Sequence, residues 1–219
     1  MILWTIQPKE VADLLETSGR FSCDGRRADR DYRDSYLWMA TQMANRGITN
    51  PEGRLHYPVW AWYRFNHRGK HKRGPRIVEC QETCPLNTPF CRIKFDAPDN
   101  LVLLSDFALW HCVLNKHYIG TDRSEKRAIK RALSRPQENF LSYMRRSWER
   151  IFNLDLKTFE SKVPCWGTGD KITIQACLPY ILSDWVLQVD HFITTERSMY
   201  YRRKWGMLAE PGFGRGQTR

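Results

Sequence analysis

Pro58-Val59-Trp60-Ala61-Trp62-Tyr63-Arg64-Phe65 is the stretch on which the reading of this chain turns. Its alternation puts Val59, Ala61 and Tyr63 on one side and Trp60 and Trp62 on the other, the pattern of a β-strand. Indoles on one strand face have two uses. As core they anchor a sheet against helices. As a platform they stack a nucleobase or a nicotinamide ring while neighbouring cations meet phosphates. The segment that follows, Arg64 to Arg76, carries six Lys or Arg, two His and no acid, interrupted by Gly69, Gly74 and Pro75. It predicts an exposed basic loop over 64–76, with Arg64, Arg68, Lys70, Lys72 and Arg73 as phosphate ligands.

Upstream, Met1 to Gln7 alternates as an opening strand, and Pro8 suits the first turn of a helix because its missing N–H costs nothing there. Val11, Leu14 and Leu15 give that helix an apolar stripe ending at Gly19. A second helix is predicted from Arg30 to Arg46, with Tyr32, Tyr36, Met39 and Met43 at helical spacing. Downstream, Ile77 to Cys80 and Phe90 to Phe95 read as strands, and Leu101 to Leu104 as a short buried run. Ser105 is expected to cap a helix with Asp106 in its first turn and Phe107, Trp110, Leu114 and His117 on one face. Two further helices are predicted within 123–151, where nine Lys or Arg face three Glu between Arg123 and Arg150. Lys171 to Tyr180 and Val186 to Ile193 are the last strands. Strands at both ends with helices grouped between them predict an α+β fold with a mixed or antiparallel sheet. One domain over 1–195 is expected, followed by a basic, flexible tail over 196–219.

The chain has 219 residues, a formal charge of +11, 9 Trp and 7 Cys. Such a positive excess favours polyanions and says nothing of fold. An odd number of Cys, without a secretory leader, argues against a disulfide framework and for a cytoplasmic location with reduced thiols. No apolar run approaches the ~20 residues of a membrane-crossing helix, so no membrane partner is expected.

Motifs with a defined chemistry are mostly absent. No phosphate loop, nucleophile elbow or His-Glu-x-x-His helix is found, and the glycines near Gly212 lack the flanking strand and helix of a dinucleotide fingerprint. Cys80, Cys84 and Cys91, with His67 and His71 upstream, lack the tight paired spacing of a zinc site, so no metal is expected. His111 lies five positions from Asp106, about 140° around a helix, so the two are not natural partners. It reads as a structural imidazole or as a lone acid, base or phosphate ligand. Thr5, Gln7 and Gln175 are polar residues in strands that otherwise look buried. Their side chains need partners, supplied by an internal network or by a ligand in a cleft.

Several blocks carry a family resemblance. They are Leu3-Trp4-Thr5-Ile6-Gln7, Tyr36-Leu37-Trp38-Met39 with Gln42-Met43, and Pro58 to Tyr63. Leu103 to Phe107 with Trp110-His111 and Val113-Leu114-Asn115 follow, then Ile174-Gln175-Ala176. In this order they resemble an uncharacterised bacterial family, the domain-of-unknown-function family 3841, over roughly Met1 to Ile193. Cys80 to Cys91 and the basic tail are particular to this sequence, and Cys177 to Pro179 departs from the bulkier residues of the family pattern. The family implies no established activity. A more distant analogy links the opening strand and the helix ending in Gly to ADP-ribosyltransferase-type folds. Thr5 or Gln7 then stands where those enzymes carry His or Arg, and Gln175 stands where they carry a late-strand acid.

The leading expectation is recognition of a nucleotide or nucleic acid in an aromatic and polar cleft. Trp4, Trp60, Trp62 and Tyr36 would form its walls, Thr5, Gln7 and Gln175 would fix orientation, and the basic residues would meet phosphates, with no cofactor. The alternatives are an NAD-dependent ADP-ribosyltransferase-like toxin or defence enzyme, with Thr5, Gln7, His111 and Gln175 as its candidate catalytic residues, and a basic protein-docking module on 123–150.

Overall fold

Parity along the first strand organises the molecule. β1 (Ile2–Pro8) buries Leu3 and Thr5 on one side and turns Trp4 and Ile6 to the other. The computed structural model describes residues 1–26, 28–52, 57–67, 70–72, 74–81, 84–121, 124–125, 127, 140–155 and 172–195. The tail over 196–219 and most of 123–139 lie outside them.

α1 (Lys9–Ser18) starts directly after Pro8 and buries Val11, Ala12 and Leu15. Gly19 ends it at φ 72°, its N–H donating to the Leu15 carbonyl at 3.0 Å, a left-handed position at which Gly is favoured. β2 (Arg20–Phe21) follows, then a 3₁₀ turn (Arg30–Tyr32) that leads into α2 (Arg33–Ala44). β3 (Val59–His67) is the aromatic strand and continues two residues past Phe65. It folds back on β4 (Lys70–Lys72), pairing Phe65 with Lys72 and His67 with Lys70. Part of the expected basic loop is therefore paired strand, from Phe65 to His67 and from Lys70 to Lys72.

α3 (Ile77–Gln81) occupies a stretch expected to be a strand. The backbone N–H of Arg76 donates to the Glu79 carboxylate at 2.7 Å, closing a helical turn that overrides the β-propensity of Ile77 and Val78. β5 (Pro89–Asp96) and β6 (Leu103–Asp106) come next, then α4 (Phe107–Leu114). Asp106, not Ser105, caps α4: its carboxylate accepts from the N–H groups of Ala108 and Leu109 at 2.8 and 3.1 Å, while Ser105 stays in the strand. α5 (Phe140–Trp148) runs into a 3₁₀ turn (Glu149–Phe152). β7 (Ile174–Leu178), β8 (Ile181–Leu182) and β9 (Val186–Ile193) complete the chain.

The main sheet has the order β6-β7-β3-β1-β5-β9, with β4 added to β3, and every pairing in it is antiparallel. The fold is α+β. One face packs Leu3, Val59, Ala61, Ile93, Phe95, Ala176 and Leu178 against α1 and the small β2–β8 sheet. The other is covered in two parts. Over β6, β7 and β3 lie Met39, Met43, Leu109, Trp110, Val113, Met144 and Trp148 from α2, α4 and α5. Over β5 and β9, Cys80 and Cys84 pack with Phe192, Ile6 and Phe90. No helix among the described residues is long and apolar enough to cross a membrane.

Candidate functional site

Directly paired residues in an antiparallel sheet share a face. The strand register therefore lines up Gln188, Lys94, Trp4, Trp62, Gln175 and Ser105 as one row across six strands. The neighbouring row on that face holds Asp190, Arg92 and Ile6, with Trp60, Cys177 and Leu103 further across. Trp4 and Trp62 thus stand at the seam between the two helical covers. Neither belongs to any of the three apolar clusters.

Thr5 and Gln7 point the other way, toward α1, paired with Ile93 and Cys91. Thr5 is fully buried, donating to the Trp60 carbonyl at 2.7 Å and accepting from Gln7 Nε2 at 2.9 Å. That is an internal network between adjacent strands. Gln175 lies on the tryptophan face, where its Nε2 donates to Ser105 Oγ at 3.0 Å. Thr5 and Gln7 therefore cannot meet Gln175 around one ligand, because the sheet separates them.

Trp60 shares the face of Trp62 but is packed away. Its ring centroid lies 4.7 Å from that of Trp110 and 6.1 Å from Tyr36, which also reaches Tyr57 and Tyr32. Burial, then the carboxylate of Asp29, raises the Tyr36 pKa. Trp60 and Tyr36 thus serve the packing of α2 and α4. Trp62 meets Phe107 and Phe65 edge-on at 4.8 and 5.1 Å. His111 touches the far side of this group, edge-on to Phe107 at 4.8 Å, and burial lowers its pKa. The indole N–H of Trp148 donates to the His117 carbonyl at 2.8 Å, whereas those of Trp4 and Trp62 have no protein acceptor among the described residues.

Among the described residues, half-buried guanidinium groups have an acid nearby: Arg92 with Asp190 at 2.7 Å on this same face, Arg150 with Glu125 at 2.9 Å and Arg20 with Glu52 at 3.8 Å. Lys94 and Arg64, each partly buried, make no ion pair among the described residues. Lys94 is paired directly with Trp4, whereas Arg64 is paired with Ile174, the neighbour of Gln175 on β7, so the irregularity after Trp62 turns it to the opposite face and brings Phe65 to the tryptophan side instead. Lys94 did not stand out in the sequence, although alternation with Cys91, Ile93 and Phe95 puts Arg92 and Lys94 on the face away from α1. Arg68 and Arg73 lie outside the described residues, and Lys70 and Lys72 are described only as strand backbone.

A family model described as Domain of unknown function (DUF3841) matches residues 2–187. The chain belongs to the DUF3841 family. The match runs from β1 to the start of β9 and so includes the Trp4–Trp62 row as far as Lys94 on one side and Ser105 on the other. No curated protein and no solved structure matches this DUF3841 chain.

Thiol chemistry is subdued in this DUF3841 domain. Burial pushes Cys80 up to about 12 and Cys91 up to about 11, so both stay protonated near neutrality. Among the described residues, no group of three His, Cys, Asp or Glu side chains is arranged to hold a metal ion.

Proposed function

We propose that this protein recognises a nucleotide or nucleic-acid ligand on the Trp4–Trp62 face, with Lys94 as a phosphate contact. The observation that carries this reading is Lys94, a partly buried cation without an acid partner among the described residues, set beside two indoles that belong to no core cluster. A cation drawn partly out of water is costly unless an anion compensates it, and a phosphate would do so here. The formal charge of +11 raises the local concentration of such a ligand.

Fluorescence titration with single-stranded RNA, single-stranded DNA and mononucleotides tests the reading. Binding should weaken as salt rises, since each phosphate contact releases counterions. Replacing Trp62 by Ala should cost about 1–3 kcal/mol of affinity, the range for loss of one stacked base. The variant Lys94→Glu should weaken binding and flatten the salt dependence. Undetectable binding of all three ligand types at low salt would overturn the proposal.

A further inference from the structure

The tryptophan face carries a strap. Beyond β4 the chain returns over the sheet, and Gly74 lies flat on the Trp4 indole. A Cβ at this position would stand 2.3 Å from Cδ2, 2.5 Å from Cγ and 2.6 Å from Cε2 of that ring. Only glycine permits so close an approach. One residue on, the carbonyl of Pro75 accepts from Arg92 Nη1 at 2.6 Å. Arg92 is in turn held by Asp190, to which Nε and Nη2 donate at 3.1 and 2.7 Å. Next in sequence, the Arg76 N–H is fixed by Glu79 as α3 begins.

The strap is thus seated at three consecutive residues, and its central anchor is polar. Arg92 and Asp190 are directly paired on β5 and β9, in the row beside Trp4 and Lys94. Both keep some contact with solvent, at 20% and 29% side-chain exposure. A guanidinium joined to one carbonyl and one carboxylate can exchange either for a phosphate, since Arg recognises phosphate and carboxylate with the same planar fork. The backbone of Gly74 meanwhile occupies a ring face on which a flat ligand would stack.

We infer that Gly74 and Pro75 form an autoinhibitory cover on Trp4, pinned by Arg92 and Asp190, and that a ligand must displace it to use the full aromatic face. The inference rests on the proposed reading of that face as a ligand site. Arg92 and Asp190 are then positioning residues, acting on Trp4 through the strap. A site whose competent form is a minority binds more weakly in proportion to that fraction, so releasing the strap strengthens binding.

Two variants of the full chain act on different ends of the device. Gly74→Ala cannot keep its contact with the ring, and Asp190→Asn weakens the pin while leaving Gly74 intact, so a folding defect in one leaves the other informative. Acrylamide quenching of tryptophan emission, measured with and without Trp4→Phe, reports how accessible Trp4 is. A labelled single-stranded oligonucleotide reports affinity. Both variants should raise the Trp4-dependent quenching and tighten binding, by about tenfold if the open form is about one tenth of the wild-type population. Unchanged quenching in both variants overturns the strap, and so does increased quenching with weaker binding, which would make Gly74 part of the binding surface. If quenching rises while neither wild type nor variant binds the oligonucleotide, the strap stands as a cover and the ligand reading fails.

Discussion

Thr5 illustrates how one buried hydroxyl can look like part of a site and be structural. Its oxygen bridges two adjacent strands, donating to the Trp60 carbonyl and accepting from Gln7. Removing it leaves the carbonyl without that donor and the Gln7 amide without that acceptor. Thr5→Val should therefore destabilise the fold by about 1–3 kcal/mol, since an orphaned buried group costs its desolvation. In urea the midpoint should fall with an unchanged slope. Adding Gln7→Leu should recover part of the loss, because one of the orphaned groups is then absent. A shift smaller than about 0.5 kcal/mol for Thr5→Val, the usual range for a neutral surface change, would make the hydroxyl incidental. The sequence marked Thr5, Gln7 and Gln175 correctly as polar residues in buried strands. It could not tell which of them meet. Alternation along β1 separates Trp4 from Thr5 and Gln7, but only the pairing of β1 with β3 and of β3 with β7 assigns Gln175 to the side of Trp4.

Between elements, much of the cohesion near α5 comes from one carboxylate. Glu125 accepts from Tyr118 Oη at 2.6 Å, from the Thr121 backbone and hydroxyl at 2.7 Å each, and pairs with Arg150 at 2.9 Å. It thereby ties the segment after α4 to the 3₁₀ turn after α5. Burial opposes its ionisation, but the Arg150 guanidinium, the Tyr118 hydroxyl and the Thr121 donors outweigh that and hold it at about 2, against an ordinary value of 4.5. Because the folded pKa is depressed, this stabilisation is fully present above the ordinary Glu range. It is lost as pH falls from about 4.5 through about 2. Glu125→Gln should lower stability at neutral pH and flatten the acid limb of a plot of unfolding midpoint against pH. Parallel limbs for the two proteins would show that Glu125 does not carry the effect. Elements of this kind were unevenly legible. The ends of β1 and β9 and the stop at Gly19 follow from alternation and one left-handed glycine. The helix at Ile77–Gln81 does not, because Ile77 and Val78 favour a strand and the deciding interaction is Glu79 reaching back to Arg76. A short apolar run carries too little periodicity to choose between the two.

At the scale of the whole molecule, a single sheet separates two kinds of chemistry. The α1 face contains a closed polar network within an apolar core, and the opposite face presents paired indoles, the partly buried Lys94 and Arg92, and the segment at Gly74 and Pro75 packed over Trp4. If this division is functional, substitutions on the two faces should act on different observables and should not couple. Thr5→Val should reduce stability while leaving oligonucleotide affinity unchanged after correction for the folded fraction. Lys94→Ala should reduce affinity with little change in stability, or even raise stability, since it removes a partly buried charge that lacks a partner. The two side chains sit on adjacent strands, Thr5 lying opposite Ile93, the residue that precedes Lys94, so they are close enough for coupling to be expected if they shared partners. Additivity of the double variant in both stability and affinity, to within about 0.5 kcal/mol, is therefore a demanding outcome. A larger interaction energy would show that the network under α1 helps to set the position of Lys94, making Thr5 and Gln7 remote supports of the site.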